Sequence, residues 1–166
     1  VDHTGSFEEG LRSTKELISR RVPIFEAALT YKQCYARADI LEPVGGDEWN
    51  LIEVKSSTEL KDVNYHDIGF QYYLYSGAGL KIKKCYLMCI DNTYIRKGEI
   101  EPRKLFKKID VTEEIKSTYS KTIEANMAEM VKTIADDTCP EIGIGAHCSD
   151  PYECPLIEKC WSFLPE

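Results

Sequence analysis

The chain has 166 residues, 43% hydrophobic and 30% charged, with a formal net charge of −7. That length and balance suit one globular domain with its own apolar core, and they exclude collagen-like, low-complexity and membrane-spanning classes. The acidic balance argues against gripping nucleic acid by bulk electrostatics, yet it leaves room for local basic clusters: Lys81, Lys83 and Lys84, then Arg96, Lys97, Arg103, Lys104, Lys107 and Lys108.

The first residues, Val1-Asp2-His3-Thr4-Gly5, lack the basic-then-apolar pattern of a signal peptide and lack an initiator Met. A cytoplasmic protein sampled as a fragment or trimmed chain is the expectation. From Ser6 to Arg20 the pattern is helical, with Phe7, Leu11, Thr14 and Ile18 on one stripe, until Pro23 ends it. Ile24 to Thr30 and Tyr35 to Glu42 then read as strands joined by a short polar turn. Pro43 and Gly45-Gly46 make a second turn, and Trp49 to Ser56 is a third strand of the meander. Asn64 to Ser76 reads as a helix stopped by Gly77 and Gly79. Ile82 to Ile90 is a buried strand, and the polar run Asp91 to Lys108 holds Pro102 and a short helical turn. Asp110 with Glu113 predicts a capping box for a long helix whose buried face is Ile115, Tyr119, Ile123, Met127 or Met130, and Ile134. From Thr138 onward Pro, Gly and Cys dominate.

That order predicts an α/β fold with three layers around a small central mixed sheet. Residues 1–166 form one domain, an α/β core over 1–137 with a cysteine-rich tail over 138–166 packed on it. The strands flanking the second helix suit a right-handed crossover.

Chemistry concentrates in two places. Strand side chains alternate, so Glu53 and Lys55 project from one face of Ile52-Glu53-Val54-Lys55, and the turn at Gly45-Gly46 folds the strand bearing Asp39 beside them. Charges in an apolar strand are costly unless paired or metal-bound, and two carboxylates invite a hard cation such as Mg²⁺ or Mn²⁺. Gln71 and Tyr75 lie four residues apart on one face of the following helix, where an amide and a phenol could meet phosphate or a metal-bound water. The plain alternative is a cross-strand salt bridge beside a core Tyr. His66 opens that helix and reads as exposed; His147 adjoins Cys148.

The second place is the tail. Cys139, Cys148, Cys154 and Cys160 are spaced by eight, five and five residues, with Pro and Gly between them. A segment with so little apolar surface gains folding energy from a metal, either Zn²⁺ or a [4Fe–4S] cluster. The absence of a close C-x₂₋₄-C pair favours the cluster. Cys34, Cys85 and Cys89 sit in apolar strands and read as buried hydrophobes.

Asp39, then Glu53-Val54-Lys55, then Gln71-x-x-x-Tyr75, in that order, resembles the PD-(D/E)XK nuclease superfamily. In particular it resembles the RecB-like branch with C-terminal iron–sulfur cysteines, related to CRISPR adaptation exonucleases. The resemblance covers about Thr14 to the C-terminus, including Ile24-Phe25-Glu26-Ala27-Ala28 and the run from His147 to Pro155. It implies a restriction-endonuclease-like fold and metal-dependent hydrolysis of DNA, as an exonuclease on free ends or single strands. Asp39 and Glu53, with the Val54 carbonyl, would bind the metal. Lys55 would assist the water, Gln71 and Tyr75 would complete the motif, and Glu26 would reach the same site. Glu16 is the candidate for the helix acid that members carry before the first strand. For the cluster it implies Cys148, Cys154 and Cys160, with an upstream residue or Cys139 as the fourth ligand and Cys34 as a remote third option. The implied partners are DNA and the rest of a larger protein or a repair or CRISPR complex, with no membrane. A catalytically impaired module that binds nucleic acid or a partner protein is the alternative, and a metal-stapled structural domain is a third reading.

Overall fold

A computed structural model describes residues 6–138 and 140–162, so Cys139 lies outside the described residues. The chain divides into two compact units, Val1–Ala128 and Glu129–Glu166.

In the first unit, helix α1 (Phe7–Arg20) starts where the Ser6 hydroxyl accepts the Glu9 N–H at 3.3 Å. It ends at Arg21, whose φ of 55° places it in the left-handed region. Strands β1 (Ile24–Tyr31), β2 (Cys34–Pro43) and β3 (Glu48–Lys55) form the expected antiparallel meander. Helix α2 (Asp62–Gly77) crosses over to β4 (Lys81–Ile90), which runs parallel to β3. The outcome is an α/β unit with a five-stranded mixed sheet in the order β1-β2-β3-β4-β5.

The fifth strand, β5 (Phe106–Asp110), pairs antiparallel with β4 and is new relative to the sequence reading, which gave this stretch only a helical turn. That turn exists as α3 (Pro102–Leu105). The adjacent Lys107-Lys108 masks the alternation, and lysines suit a strand at a sheet edge. The long helix also differs. Its first turn is α4 (Thr112–Glu114) with Val111 at the cap position and no side-chain cap, so the Asp110–Glu113 capping box is absent. Asp110 instead accepts the Thr112 N–H at 3.1 Å. A π-helical stretch, Ile115–Tyr119, then leads into α5 (Ser120–Ala135). Ile115 and Ile123 are buried and Tyr119 and Met127 pack on the core, whereas Met130 and Ile134 are exposed. Met130 and Ile134 belong to the second unit, Glu129–Glu166.

The core gathers Ile24, Leu41, Trp49, Leu51, Ile68, Leu74 and Leu87 from four strands and α2. Cys34, Cys85 and Cys89 are buried, as their apolar neighbours implied, and burial pushes the Cys85 thiol up to about 12. Among the described residues no helix is long and apolar enough to cross a membrane. In the second unit, a 3₁₀ turn (Ala146–Cys148) and α6 (Ile157–Trp161) flank a loop closed by the Cys154 N–H donating to the Cys148 carbonyl at 2.8 Å.

Thr14 is the polar member of the α1 stripe and is fully buried. Its Oγ1 accepts the Ala28 N–H at 2.9 Å, tying α1 to β1. Thr14→Val keeps the shape but orphans that buried N–H. Urea denaturation should show a loss of about 1–3 kcal/mol, and an unchanged midpoint would contradict the tie.

Candidate functional site

Glu53 is the centre of the polar cluster. It lies on β3, a central strand with buried residues on both faces, and is only 8% exposed. Strand alternation puts Leu51, Glu53 and Lys55 on the face that α2 covers. Both Glu53 oxygens are engaged: Lys55 Nζ donates to Oε1 at 2.9 Å, and Gln71 Nε2 donates to Oε2 at 2.6 Å. Lys55 also donates to Asp67 Oδ2 at 2.7 Å. Asp67, Gln71 and Tyr75 recur every four residues along α2, so one stripe of that helix faces the strand.

Asp39 enters from β2. The β2–β3 ladder pairs Ile40 with Ile52, and the next residues along it are Asp39 and Glu53. There the Asp39 side chain takes the place of a ladder carbonyl: Oδ2 accepts the Val54 N–H at 2.6 Å. Asp39 is also close enough to raise the proton affinity of Glu53. The structure thus brings together Asp39, Glu53, Val54, Lys55 and Gln71.

Tyr75 stands differently. It is fully buried; its hydroxyl donates to the Ala27 carbonyl and accepts the Ala38 N–H at 2.9 Å, clamping β1 to β2. Burial raises its pKa above the ordinary phenol value. This is a framework role beside the site. Glu26 faces Asp39 where the β1–β2 ladder skips a pair, and its φ of 54° is a left-handed value unusual for Glu within a strand. Its carboxylate pairs with Arg37 at 2.8 Å. Glu16 pairs with Arg20 at 3.9 Å on the exposed side of α1. His66 is half-exposed, 3.6 Å from Asp62. Asp67 is the cluster member that sequence reasoning missed, and the four-residue stripe with Gln71 and Tyr75 was the available signal.

The electrostatics follow from burial. Loss of water raises the Glu53 pKa; the bonds from Lys55 and Gln71 oppose that, Asp39 adds to it, and the net position is above the ordinary carboxyl value. For Lys55 burial pulls downward, but Asp67 and Glu53 outweigh it and hold the ammonium above its usual range. Lys55 is therefore a fixed cation at neutral pH.

Among the described residues no three His, Cys, Asp or Glu side chains gather into a metal-binding group. Two carboxylates come here with a further feature: Gln71 is 7% exposed and its Oε1 has no hydrogen-bond partner among the described residues. A buried acceptor beside two acids suits a donor such as a cation's water shell, so these residues fit a hard divalent ion. In the tail, Cys148 is buried, Cys154 half-buried and Cys160 exposed, all with free thiols.

Glu53 holds its proton more tightly folded than unfolded. The stability this contributes is complete below the ordinary value of 4.5 and is lost as pH rises through the raised value. In metal-free buffer, the melting temperature of Glu53→Gln minus that of wild type should grow more positive from about pH 4 to about pH 7. A difference independent of pH would contradict this environment.

No family model and no curated protein matches the chain. A solved structure described as the crystal structure of SSO0001 is similar, at 15% identity and a TM-score of 0.38, over 81% of this chain and 60% of that one. The chain thus spans 60% of the length of that structure.

Proposed function

We propose that the protein is a metal-dependent nuclease that hydrolyses DNA phosphodiester bonds, acting on ends or single strands within a three-layer, restriction-endonuclease-like fold. The observation that carries this reading is a buried carboxylate, Glu53, held by an ammonium and an amide, with Asp39 beside it and the unfilled Gln71 Oε1 next to it. Asp39 and Glu53, with the Val54 carbonyl, would hold Mg²⁺ or Mn²⁺. Such an ion supplies charge neutralisation at a phosphate and acidifies water. Lys55, already a cation, orients donors and offsets charge developing on the phosphate rather than acting as a base. Gln71 fixes the Glu53 rotamer through Nε2 and offers Oε1 to an incoming proton donor. Asp67 holds Lys55 from its other side.

A second reading, a non-catalytic module that binds nucleic acid or a partner protein, draws on one observation: both Glu53 oxygens are already occupied by protein donors. Mn²⁺ separates the two. An intact site gains about 2.7 kcal/mol at one hundred times Kd, and Asp39→Ala should remove that gain. On labelled linear single- and double-stranded DNA, Asp39→Ala or Lys55→Ala should lower Mn²⁺-dependent cleavage about 100-fold or more while the fold persists. Cleavage that persists at the wild-type rate would falsify the assignment.

For the tail we propose a structural metal centre through Cys148, Cys154 and Cys160, with Cys139 or a residue outside this chain as the fourth ligand; no chemical step is assigned to it. Anaerobically purified protein should be brown and lose its colour in Cys154→Ala if the centre is [4Fe–4S]. Colourless protein with stoichiometric zinc would indicate Zn²⁺ instead, and protein free of both metals would sink the proposal.

A further inference from the structure

One excursion of this acidic chain carries a net positive charge. Residues 91–108 carry six Lys or Arg against three Asp or Glu, in a molecule whose net charge is −7. The excursion springs from the end of the sheet that holds the acidic cluster. Lys55 is in register with Cys89, and the next residue, Ile90, donates its N–H to the Ser57 carbonyl at 3.1 Å. The Asp91 N–H then donates to the Leu105 carbonyl at 2.8 Å and closes the loop at its base. In open α/β sheets ligands bind beyond the carboxyl ends of the strands, and this is that end for β3 and β4.

Within the excursion lies a cavity of about 490 Å³. Its walls alternate cations with apolar surface: Lys97, Arg103 and Lys104 beside Tyr94, Ile95 and Phe106. The acidic wall residues are already engaged. Glu101 pairs with Lys104 at 2.7 Å, and Asp91 Oδ1 accepts from the Thr93 N–H and hydroxyl at 2.9 and 2.7 Å. Lys97 and Arg103 have no ion-pair partner among the described residues. The Tyr94 ring is fixed because its hydroxyl accepts the Glu101 N–H at 3.0 Å. Ile95 and Phe106 are exposed, unusual for apolar side chains beside so many charges.

We infer that this cavity is a binding subsite for single-stranded nucleic acid. Lys97 and Arg103 contact backbone phosphates, and the exposed Phe106 face receives an unpaired base. Cations that track phosphates next to aromatic faces that stack bases are the two parts of a single-strand platform, whereas duplex DNA hides its base faces. The inference rests on the nuclease reading for its purpose: the strand held here would lead to Asp39 and Glu53 at the same sheet end.

The test uses the full chain and fluorescein-labelled oligo(dT), with anisotropy read in EDTA across a salt series so that a metal site takes no part. Lys97→Ala/Arg103→Ala should weaken binding about tenfold and make the plot of log K against log salt shallower by about 1.4, at about 0.7 per charge. Phe106→Ala should weaken binding several-fold with the slope unchanged. All three positions are at the surface, and thermal melts verify folding. Unchanged affinity and slope in the double variant, no binding by wild type, or duplex bound more tightly than single strand would each overturn the subsite. Wild type that binds in this manner yet never cleaves with Mn²⁺ overturns the nuclease reading alone. Cleavage with binding indifferent to the double variant overturns the subsite alone.

Discussion

A carboxylate withdrawn from water in mid-sheet sets the terms for everything around Glu53. Such a charge is tolerable only where donors meet it. Lys55, two residues along, and Gln71, from the covering helix, are those donors. Because Lys55 would itself become a buried unmatched charge, Asp67 takes its other side. The helix that seals the apolar core thus also brings the polar partners, and its four-residue stripe does both because Ile68 and Leu74 flank that stripe and fill the core.

Much of this was legible in the chain. The meander, α2 and β4 announce themselves through alternating or continuous apolar runs punctuated by Pro23, Pro43 and the glycines at 45, 46, 77 and 79. Glu53 and Lys55 follow from period-two alternation, and Gln71 from helical spacing. What escaped has physical reasons. The edge strand β5 needs only one neighbour, so lysines suffice where a central strand needs Val or Ile. The π-helical stretch at Ile115–Tyr119 has no residue signature. Asp67 looked like an ordinary helix acid because its partner, Lys55, is twelve residues away in sequence. Tyr75 shows that spacing locates a side chain without fixing its task, since its hydroxyl is taken up by the backbones of β1 and β2. Cysteine spacing likewise names candidate ligands without saying whether they meet.

The sheet end that carries the buried acid also carries the cations of the chain's most basic stretch. The site's acids are engaged by protein donors, with Glu53 buried, and most lysines and arginines of the excursion stand outward. An approaching polyanion meets attraction before it meets the carboxylates, although the molecule as a whole repels it.

Asp39, Glu53, Lys55, Asp67 and Gln71 all belong to one uninterrupted run, from β2 through α2. No distant segment must arrive for their mutual bonds to form. Loss of any one of β2, β3 or α2 would dismantle the whole set together, so the pocket's integrity follows a single local opening equilibrium. Its amides should therefore exchange with solvent as one block, while edges such as β5 fray on their own clock.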